Sequence, residues 1–423
     1  MTFFKTKIKD DEIFLSDKIE LYPTDFQKEK IWKYINATRY IYNWIINLQN
    51  KIYNNWNENN YIGDNFIKLK ELEKMVAELR HTDPNLGGVP YHICILAARR
   101  ADYAYNMFFK KIKGKPRIHN FNHNTLSFDA RSDDFYIENN YAKIEGFGKY
   151  HIKCSPRPYT KENKFYAVTV LYDKSDRYWL SVSYKTEKRY LNIPKTKPIG
   201  IDIGFRKDNS NTIVCSNGKR YCQPSTSKIE KRIQRNNKYY NISCKNRYTK
   251  NKELNLPVND NESNNSKKRR IKLNKDYRRV HNIKENFYHE ATTDIIRNNP
   301  EAIVVESLNI KDMNFTESMH VTSSYSILEK IKYKANMYNI PVIEAHPQFP
   351  SSQICSNCGR IHKTTNKIFK CPYCGFKIDR DDNAAINLER LATTQNDDFY
   401  YINGPSKQSC LDFNYSKEAL YFW

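Results

Sequence analysis

The sequence predicts a multidomain protein of mixed α and β structure (α+β), and three observations carry that prediction. The chain has 423 residues, of which 39% are apolar and 14% aromatic, enough for two or three packed domains. Strand patterns flank a long helical pattern in the first half, whereas strands and helices alternate in the second. Two cysteine pairs near the end predict a small metal-bound module within the second half.

The N-terminal half is predicted as a strand, a helical insertion and further strands. Thr24 and Gln27 form a capping box at the start of the first helix. Apolar residues then recur at about the helical period: Ile31, Ile35, Ile41, Ile45 and Leu48. The glycine and proline of KGKPRI end the helical segment. Residues 165–172 and 177–184 alternate apolar and polar side chains around a DKSD turn, which predicts two antiparallel strands.

The second half begins after a Pro-Lys-Thr-Lys-Pro linker at 194–198 with the strand IGIDIG. Its isoleucines share one face, and Asp202 lies with two glycines on the other, so a single carboxylate stands on a nearly bare face. An Asn-Gly pair at 217–218 predicts a hairpin that adds an antiparallel partner to this strand. EAIVVES and PVIEA predict two further strands, and Glu306 ends the first of them.

Helices are predicted between and after these strands. Residues 228–289 form two basic helices split by the Asn-rich loop 254–266, and residues 280–296 form a helix with an apolar stripe. Ser326 and Glu329 predict the capped start of another helix, which runs to about Tyr338.

The charge balance predicts a polyanionic partner. The chain carries 70 basic and 47 acidic residues, a formal charge of +23, and nucleic acid is the first partner to consider. Solvated helix faces are the alternative for any single lysine run. No start of the signal-peptide type and no apolar run of about 20 residues is found, so a cytosolic protein is expected. The six scattered cysteines fit a reducing compartment.

Four cysteines have the spacing of a zinc ribbon. Twelve residues separate Cys355-x2-Cys358 from Cys371-x2-Cys374, and a glycine follows the second cysteine of each pair. Two such turns present four thiolates tetrahedrally, as Zn²⁺ prefers. Because protein ligands would fill all four positions, the zinc would be structural. An iron–sulfur or redox role suits two well-separated pairs less well.

Three acids stand out by position: Asp202 within a strand, Glu306 at a strand end and one aspartate of DRDD at a helix start. Phosphodiester hydrolysis needs a nucleophilic water and neutralisation of developing charge, which two carboxylate-bound Mg²⁺ ions supply. Each acid alone also has a structural explanation, such as a salt bridge or a helix N-terminus. Glu344 is a competitor at another strand end, for which a paired surface acid is the simpler interpretation.

These residues resemble TnpB, the RNA-guided nuclease of bacterial insertion sequences, which is related to miniature type V CRISPR effectors. The resemblance is carried by LYPTDFQ…RYIYNW, KGKPRI…SF, GIDIG, VVESLNI, SSQICSNCG and CPYCG…DRDDNAAINL. It implies a RuvC active site at Asp202, Glu306 and Asp381, holding two Mg²⁺ ions. Asp379 and Asp382 are set aside, since Asp381 alone lies two residues before Asn383. Ser307 departs from the aspartate usual in the family, and the Asn-rich loop is longer than expected.

The resemblance also implies a domain order. A β-barrel-like wedge domain (1–22 and 112–195) would contain a helical recognition domain (23–111). An RNase H-like (RuvC) domain (196–346 and 379–395) would contain the zinc ribbon (347–378), and 396–423 would be a tail. A guide RNA and double-stranded target DNA beside a short adjacent motif are the implied partners. A prokaryotic, nucleoid-associated protein is expected, and a monomer is favoured although the sequence leaves the oligomeric state open. Candidate nucleic-acid contacts are Arg39, Lys115, Arg117, Lys267, Lys268, Arg269 and Arg270.

Three other functions remain as alternatives. A nuclease-inactive, RNA-guided repressor would be expected to lack some of the carboxylates, and all three are present. An actin-like ATPase also uses a strand like GIDIG, but FRKDN follows here and the chain has only 12 glycines. A guide-independent zinc-ribbon DNA-binding protein of a transposon would not copurify with a specific RNA.

Overall fold

The computed structural model of the protein describes residues 9–59, 66–120, 126–205, 211–254, 256, 261–306, 315–346 and 349–393. The chain divides into two compact units, one ending at Glu187 and the other beginning at Lys188. Both units combine helices and sheet, as the α+β prediction requires. No described helix has the length and apolar character to cross a membrane. The predicted tail, Ser307 and part of the Asn-rich loop lie outside the described residues.

The first unit combines a seven-stranded sheet with three α-helices in its described part. The helices are α1 (Asp25–Asn59), α2 (Leu69–Thr82) and α3 (Tyr91–Phe109), with a 3-10 turn at Pro84–Leu86. The strands are β1 (Glu12–Tyr22), β2 (Leu126–Ala130), β3 (Tyr136–Glu138), β4 (Tyr141–Lys143), β5 (Ile152–Cys154), β6 (Phe165–Asp173) and β7 (Arg177–Glu187). The spatial order is β2-β6-β7-β1-β5-β4-β3, so β1 pairs with strands that follow the helices in sequence.

The predicted capping box begins α1. The Thr24 amide donates to Oε1 of Gln27 at 3.0 Å, and the Gln27 amide donates to Oγ1 of Thr24 at 3.4 Å. The apolar stripe that follows is buried in the core of the unit, apart from Leu48, which is half-buried. This part of the sequence prediction is confirmed.

The second unit contains a five-stranded sheet and a separate two-stranded hairpin. Its strands are β8 (Ile199–Phe205), β9 (Asn211–Cys215), β10 (Arg220–Cys222), β11 (Ile303–Glu306), β12 (Val342–Ala345), β13 (Ile368–Lys370) and β14 (Lys377–Asp379). Its helices are α4 (Ser227–Glu253), α5 (Asn264–Arg297), α6 (Phe315–Met337) and α7 (Arg380–Thr393). In the order β10-β9-β8-β11-β12, β8 is antiparallel to β9 and parallel to β11. The predicted hairpin at Gly218, whose φ is +84°, joins β9 to β10.

The two faces of β8 are covered by different helices. Ile199 and Ile201 pack into one apolar cluster with residues of α5 and α6. On the other face, a Cβ atom at Gly200 would lie 2.0 Å from the carbonyl oxygen of Ala385 and 2.3 Å from the amide nitrogen of Glu389. Helix α7 therefore lies directly against the main chain of the strand, and Leu388 of α7 packs beside Val304 of β11.

Two helix predictions were wrong at their starts. The helix predicted from residue 280 is the continuation of the second basic helix, because α5 runs unbroken from Asn264 with no glycine or proline to stop it. Its cap is Ser263, whose hydroxyl accepts from the Ser266 amide at 3.2 Å. Likewise, α6 begins at Phe315, so Ser326 lies inside the helix, and its hydroxyl donates to Glu285 at 3.2 Å.

We expect Gly200→Ala to destabilise the protein by about 2 kcal/mol or more, because the atoms that the new methyl group meets belong to the main chain of α7 and cannot swing aside. Urea unfolding followed by circular dichroism measures the change. Gly114→Ala is the control, since nothing lies within 4 Å of its added Cβ. Equal unfolding midpoints for the two variants would contradict the close packing of α7 on β8.

Candidate active site and metal centre

The four predicted cysteines come together as one cluster. Their sulfur atoms all lie within 4.8 Å of one another. The Sγ atoms of Cys355 and Cys374 are 3.7 Å apart, and those of Cys358 and Cys371 are 3.6 Å apart. Four thiolates about 2.3 Å from a central zinc would be about 3.8 Å apart, so the measured spacing fits a tetrahedral Zn²⁺ site.

The fold around the cluster also fits a structural metal. Gly359 and Gly375 have φ of +75° and +72°, and their amides close the two turns on the carbonyls of Cys355 and Cys371 at 2.8 and 3.0 Å. Strands β13 and β14 form the predicted ribbon, with Phe369 fully buried against the cysteines. The amide of Phe376 lowers the pKa of Cys374 to about 6, whereas burial raises the pKa of Cys355 to about 12, so a bound cation would be needed to keep the buried thiol ionised.

Asp202 and Asp381 approach each other above the bare face of β8. The position that a Cβ atom of Gly204 would occupy is 3.7 Å from Oδ2 of Asp381 and 4.0 Å from Oδ2 of Asp202. Asp381 reaches this place because it lies in the first turn of α7, the helix that packs on the same face. The glycine leaves room for two carboxylates that are 179 residues apart in sequence.

Glu306 joins the same region through strand register. Val305 pairs with Ile201 in the parallel ladder, which puts the next residue, Glu306, beside Asp202 on the face covered by α7. The hydroxyl of Ser351 donates a hydrogen bond to Oε1 of Glu306. The three predicted acids are thus grouped at the middle of β8, the carboxyl end of β11 and the start of α7.

The pKa values of these carboxylates indicate that a nearby cation would stabilise their ionised forms. Burial raises the pKa of Asp202 well above the usual aspartate range, and the charges of Glu306 and Asp381 raise it further. The pKa of Asp381 is also raised, by burial first and by Asp379 second. Hard carboxylate oxygens are the donors that Mg²⁺ prefers, so this set fits a divalent metal. The acids are more loosely gathered than the cysteines, which are the only metal-type cluster within 4.8 Å among the described residues.

Arg220 is a site residue that the sequence did not indicate. Its guanidinium contacts all three acids of the DRDD segment, at 3.2 Å from Asp379, 3.9 Å from Asp381 and 2.9 Å from Asp382. The carboxylate of Asp379 also accepts from the Asp381 amide at 3.0 Å and so caps α7. Asp379 thus caps the helix, Asp381 approaches Asp202, and Asp382 makes the shortest of the three contacts with Arg220. The register of the β9–β10 hairpin places Arg220 beside the DRDD segment, so its position in the sequence does not indicate a role in the site.

The competing acid Glu344 has a structural role. It lies on β12, and its carboxylate accepts a 2.7 Å ion pair from Lys332. This is the paired surface acid that the sequence favoured.

The predicted nucleic-acid contacts of the first unit lie on or beside α1. Lys115 and Arg117 are exposed on the segment after α3, and Arg39 is half-buried on α1. The segment is held to α1 because the side-chain amide of Asn43 pairs with both main-chain groups of His119, at 3.0 and 2.6 Å. The structure therefore presents two cations on a fixed, exposed strip.

The predicted contacts of the second unit lie in the first turns of α5, and they divide into two kinds. Lys267, Lys268 and Arg269 are exposed. Arg270 is half-buried, and its guanidinium is engaged by the carboxylate of Glu262 at 2.9 Å. An ion pair of this kind gives Arg270 a role in holding the start of the helix, independent of any nucleic acid.

Two family models match parts of the chain. A model described as a helix-turn-helix domain matches residues 16–58, which here form most of β1 and the single helix α1. A model described as Cas12f1-like, TNB domain matches residues 325–388. The second match runs from α6 through all four cysteines into α7 and includes Asp381.

Relatives and a solved structure resemble the chain over most of its length. TnpB-like protein L79 of Acanthamoeba polyphaga mimivirus is 25% identical over 402 residues, 89% of this chain and 73% of that protein. A Streptomyces pristinaespiralis protein named "Putative RNA-guided DNA endonuclease" is 23% identical over 386 residues, 88% of this chain and 87% of that protein. The fold resembles a Cas12f1 chain solved by cryo-EM with sgRNA and target DNA, at TM-score 0.54 and 13% identity, covering 90% of this chain and 99% of that one. The resemblance to TnpB is confirmed.

We expect Cys371→Ser to lower the zinc content and the yield of folded protein, because three thiolates hold zinc less firmly and the ribbon has a small core. Zinc analysis of the purified protein and its thermal unfolding measure the effect. Cys222→Ser, at an exposed cysteine outside the cluster, is the control and should retain zinc. Stability equal to wild type after complete removal of zinc would refute the structural role.

We expect Asp202→Asn to stabilise the protein in the absence of divalent cations at pH 8. The pKa of Asp202 in the folded protein lies above the value of about 3.9 expected in the unfolded chain. The free energy of unfolding therefore falls as the pH rises from about 4 through the folded-state pKa of Asp202. At higher pH the ionised Asp202 continues to destabilise the folded protein. The gain in Tm over wild type should shrink as the pH is lowered towards about 4. Scanning calorimetry measures it, with Glu344→Gln as the control. An Asp202→Asn variant no more stable than wild type at pH 8 would argue against the crowding of these carboxylates.

Proposed function

We propose that the protein is an RNA-guided DNA endonuclease that hydrolyses phosphodiester bonds at the carboxylate group of its second unit. The observation that carries this proposal is the meeting of Asp202, Glu306 and Asp381 on the glycine-lined face of β8. Their grouping is specific because it needs a parallel strand register and a helix that follows the zinc ribbon. Sequence similarity to proteins named as RNA-guided DNA endonucleases supports it.

The three carboxylates would hold two Mg²⁺ ions. When bound, such ions activate a water nucleophile and neutralise charge on the leaving oxygen. The chain's own contribution is to gather the carboxylates at fixed positions. Asp202 is fixed by the sheet, Glu306 by the adjacent strand, and Asp381 by a helix whose first amides are capped by Asp379.

Guide RNA and double-stranded target DNA are the proposed partners. The TnpB-like relative and the Cas12f1 complex with sgRNA and target DNA support that choice. In guided nucleases, base pairing supplies sequence specificity and protein contacts to phosphate supply affinity. The exposed cations Lys115, Arg117, Lys267, Lys268 and Arg269 are proposed to make such contacts. A short motif beside the target would be read by the protein.

The proposed domains follow the same division. The first unit would hold the wedge domain (1–22 and 112–195) with its recognition insertion (23–111). The second would hold the RuvC-like domain (196–346 and 379–395) and the zinc ribbon (347–378). The sheet order of the first unit supports this, since β1 pairs with β7 and β5 across the helical insertion.

We expect Asp202→Ala, Glu306→Ala and Asp381→Ala each to abolish cleavage while leaving RNA and target binding nearly intact, because each change removes a proposed metal ligand and none of the three side chains belongs to the apolar clusters of the second unit. Cleavage of matched DNA with Mg²⁺ by protein purified with its flanking transcript measures activity, and filter binding measures affinity. Glu344→Ala is the matched control, an acid at the end of the neighbouring strand that pairs with Lys332, and it should cut normally.

The outcomes separate the alternatives. Loss of binding in all three variants would assign these acids a structural role. Wild-type protein that binds RNA and target without cutting would favour the nuclease-inactive repressor. Protein that copurifies with no specific RNA would favour the guide-independent DNA-binding protein.

A further inference from the structure

We propose that the first turn of the zinc ribbon positions the active-site glutamate, with Ser351 as the positioning residue. The inference rests on the proposed function, since it concerns the same carboxylates. It differs from a ribbon that only stabilises the fold or contacts nucleic acid, because it connects the zinc turn to the geometry of Glu306. Three sets of contacts within the second unit carry it.

The first set joins the ribbon to α7. The side chain of Asn383 donates to the Ile354 carbonyl at 2.6 Å and accepts from the Ser356 amide at 2.9 Å. These two groups flank Cys355, the first cysteine of the zinc cluster. Asn383 is completely buried, and it lies two residues after Asp381 on the same helix. The turn at Cys355–Cys358, here called the zinc turn, and the start of α7 are therefore held together by hydrogen bonds.

The second set repeats this contact one helical turn later. The Asn387 side chain, also completely buried, donates to the carbonyls of Ser351 and Ile354 at 2.8 and 2.7 Å. Arg390 adds a bond to the carbonyl of Ser356. Residues at i, i+4 and i+7 of α7 thus face the segment 351–356 along its length.

The third contact reaches the active site. Ser351 is only 3% exposed, and its main-chain carbonyl is held by the side chain of Asn387. Its hydroxyl donates to Oε1 of Glu306. A hydroxyl held in this way selects one orientation of the carboxylate and leaves the other oxygen for a metal. Partners of this kind behind a metal ligand typically change metal affinity by about 10- to 100-fold when removed.

The zinc ribbon therefore acts on two of the three carboxylates by separate routes. Asn383 ties it to the helix that carries Asp381, and Ser351 ties it to Glu306. Both routes start at the entry side of the ribbon, next to Cys355, whereas the exit side leads directly into α7 through β14.

The test compares Ser351→Ala, Ser351→Thr and the adjacent Ser352→Ala in the RNA-bound protein. Calorimetric titration with Mn²⁺ measures divalent-cation affinity without turnover. Zinc content, thermal unfolding and RNA binding are measured beside it, and cleavage is followed as a function of Mg²⁺. We expect Ser351→Ala to keep its zinc and its RNA affinity, to weaken Mn²⁺ binding about 10-fold, and to need about 10-fold more Mg²⁺ for half-maximal cleavage.

Ser351→Thr, which keeps the hydroxyl, should recover most of the Mn²⁺ affinity, and Ser352→Ala should match wild type. Wild-type Mn²⁺ affinity in Ser351→Ala overturns the inference, and so does a threonine variant no better than alanine. Loss of zinc or of folding in Ser351→Ala overturns it as well, because the serine would then serve the ribbon alone. Failure of the wild type to cut guided DNA, with Mn²⁺ affinity still dependent on the Ser351 hydroxyl, refutes the proposed function and leaves the metal-site inference standing.

Discussion

The close approach of helix α7 to strand β8 is the contact on which the second unit depends. Gly200 allows it, because any side chain there would collide with the helix main chain. The helix brings Asp381 to the face that carries Asp202, and its inner side holds the zinc turn through two buried asparagines. The absence of a side chain at Gly200 thus allows the acids, the ribbon and the sheet to lie together.

This arrangement explains why the four clustered cysteines run without a linker into the DRDD acids. The ribbon enters and leaves beside α7, so a zinc ion held by the four cysteines would fix the start of the helix that carries Asp381. Burial raises the pKa values of Asp202 and Asp381, and neighbouring carboxylates raise them further, so the fold holds these acids in place against an electrostatic cost. A flexible connection would let the carboxylates relax apart.

The sequence predicted those features that depend on local pattern. The capping box of Thr24 and Gln27, the hairpin at Gly218 and the two faces of β8 follow from residue type and spacing alone. Ser326 misled because a capping-box pattern also occurs inside helices, where the hydroxyl finds a partner on a neighbouring helix. The contacts of Arg220 depend on the register of the sheet, and those of Ser351 depend on how the ribbon packs. Neither can be predicted from the local spacing of residues in the sequence. Strand position singled out Asp202 and Glu306, and the family resemblance chose Asp381 among the DRDD acids and implied a shared site. The register of β8 and β11 and the packing of α7 show how the three come together.

The guanidinium of Arg220 gives the acidic helix start a resident counter-ion. Its positive charge lies 3.2 Å from Asp379 and 2.9 Å from Asp382, so it offsets part of the negative charge of the DRDD segment. Under the proposed function, divalent cations would therefore bind beside a positive charge that is already present. The contacts of Arg220 would then influence the divalent-ion concentration that the protein requires, although Arg220 is not itself a proposed metal ligand.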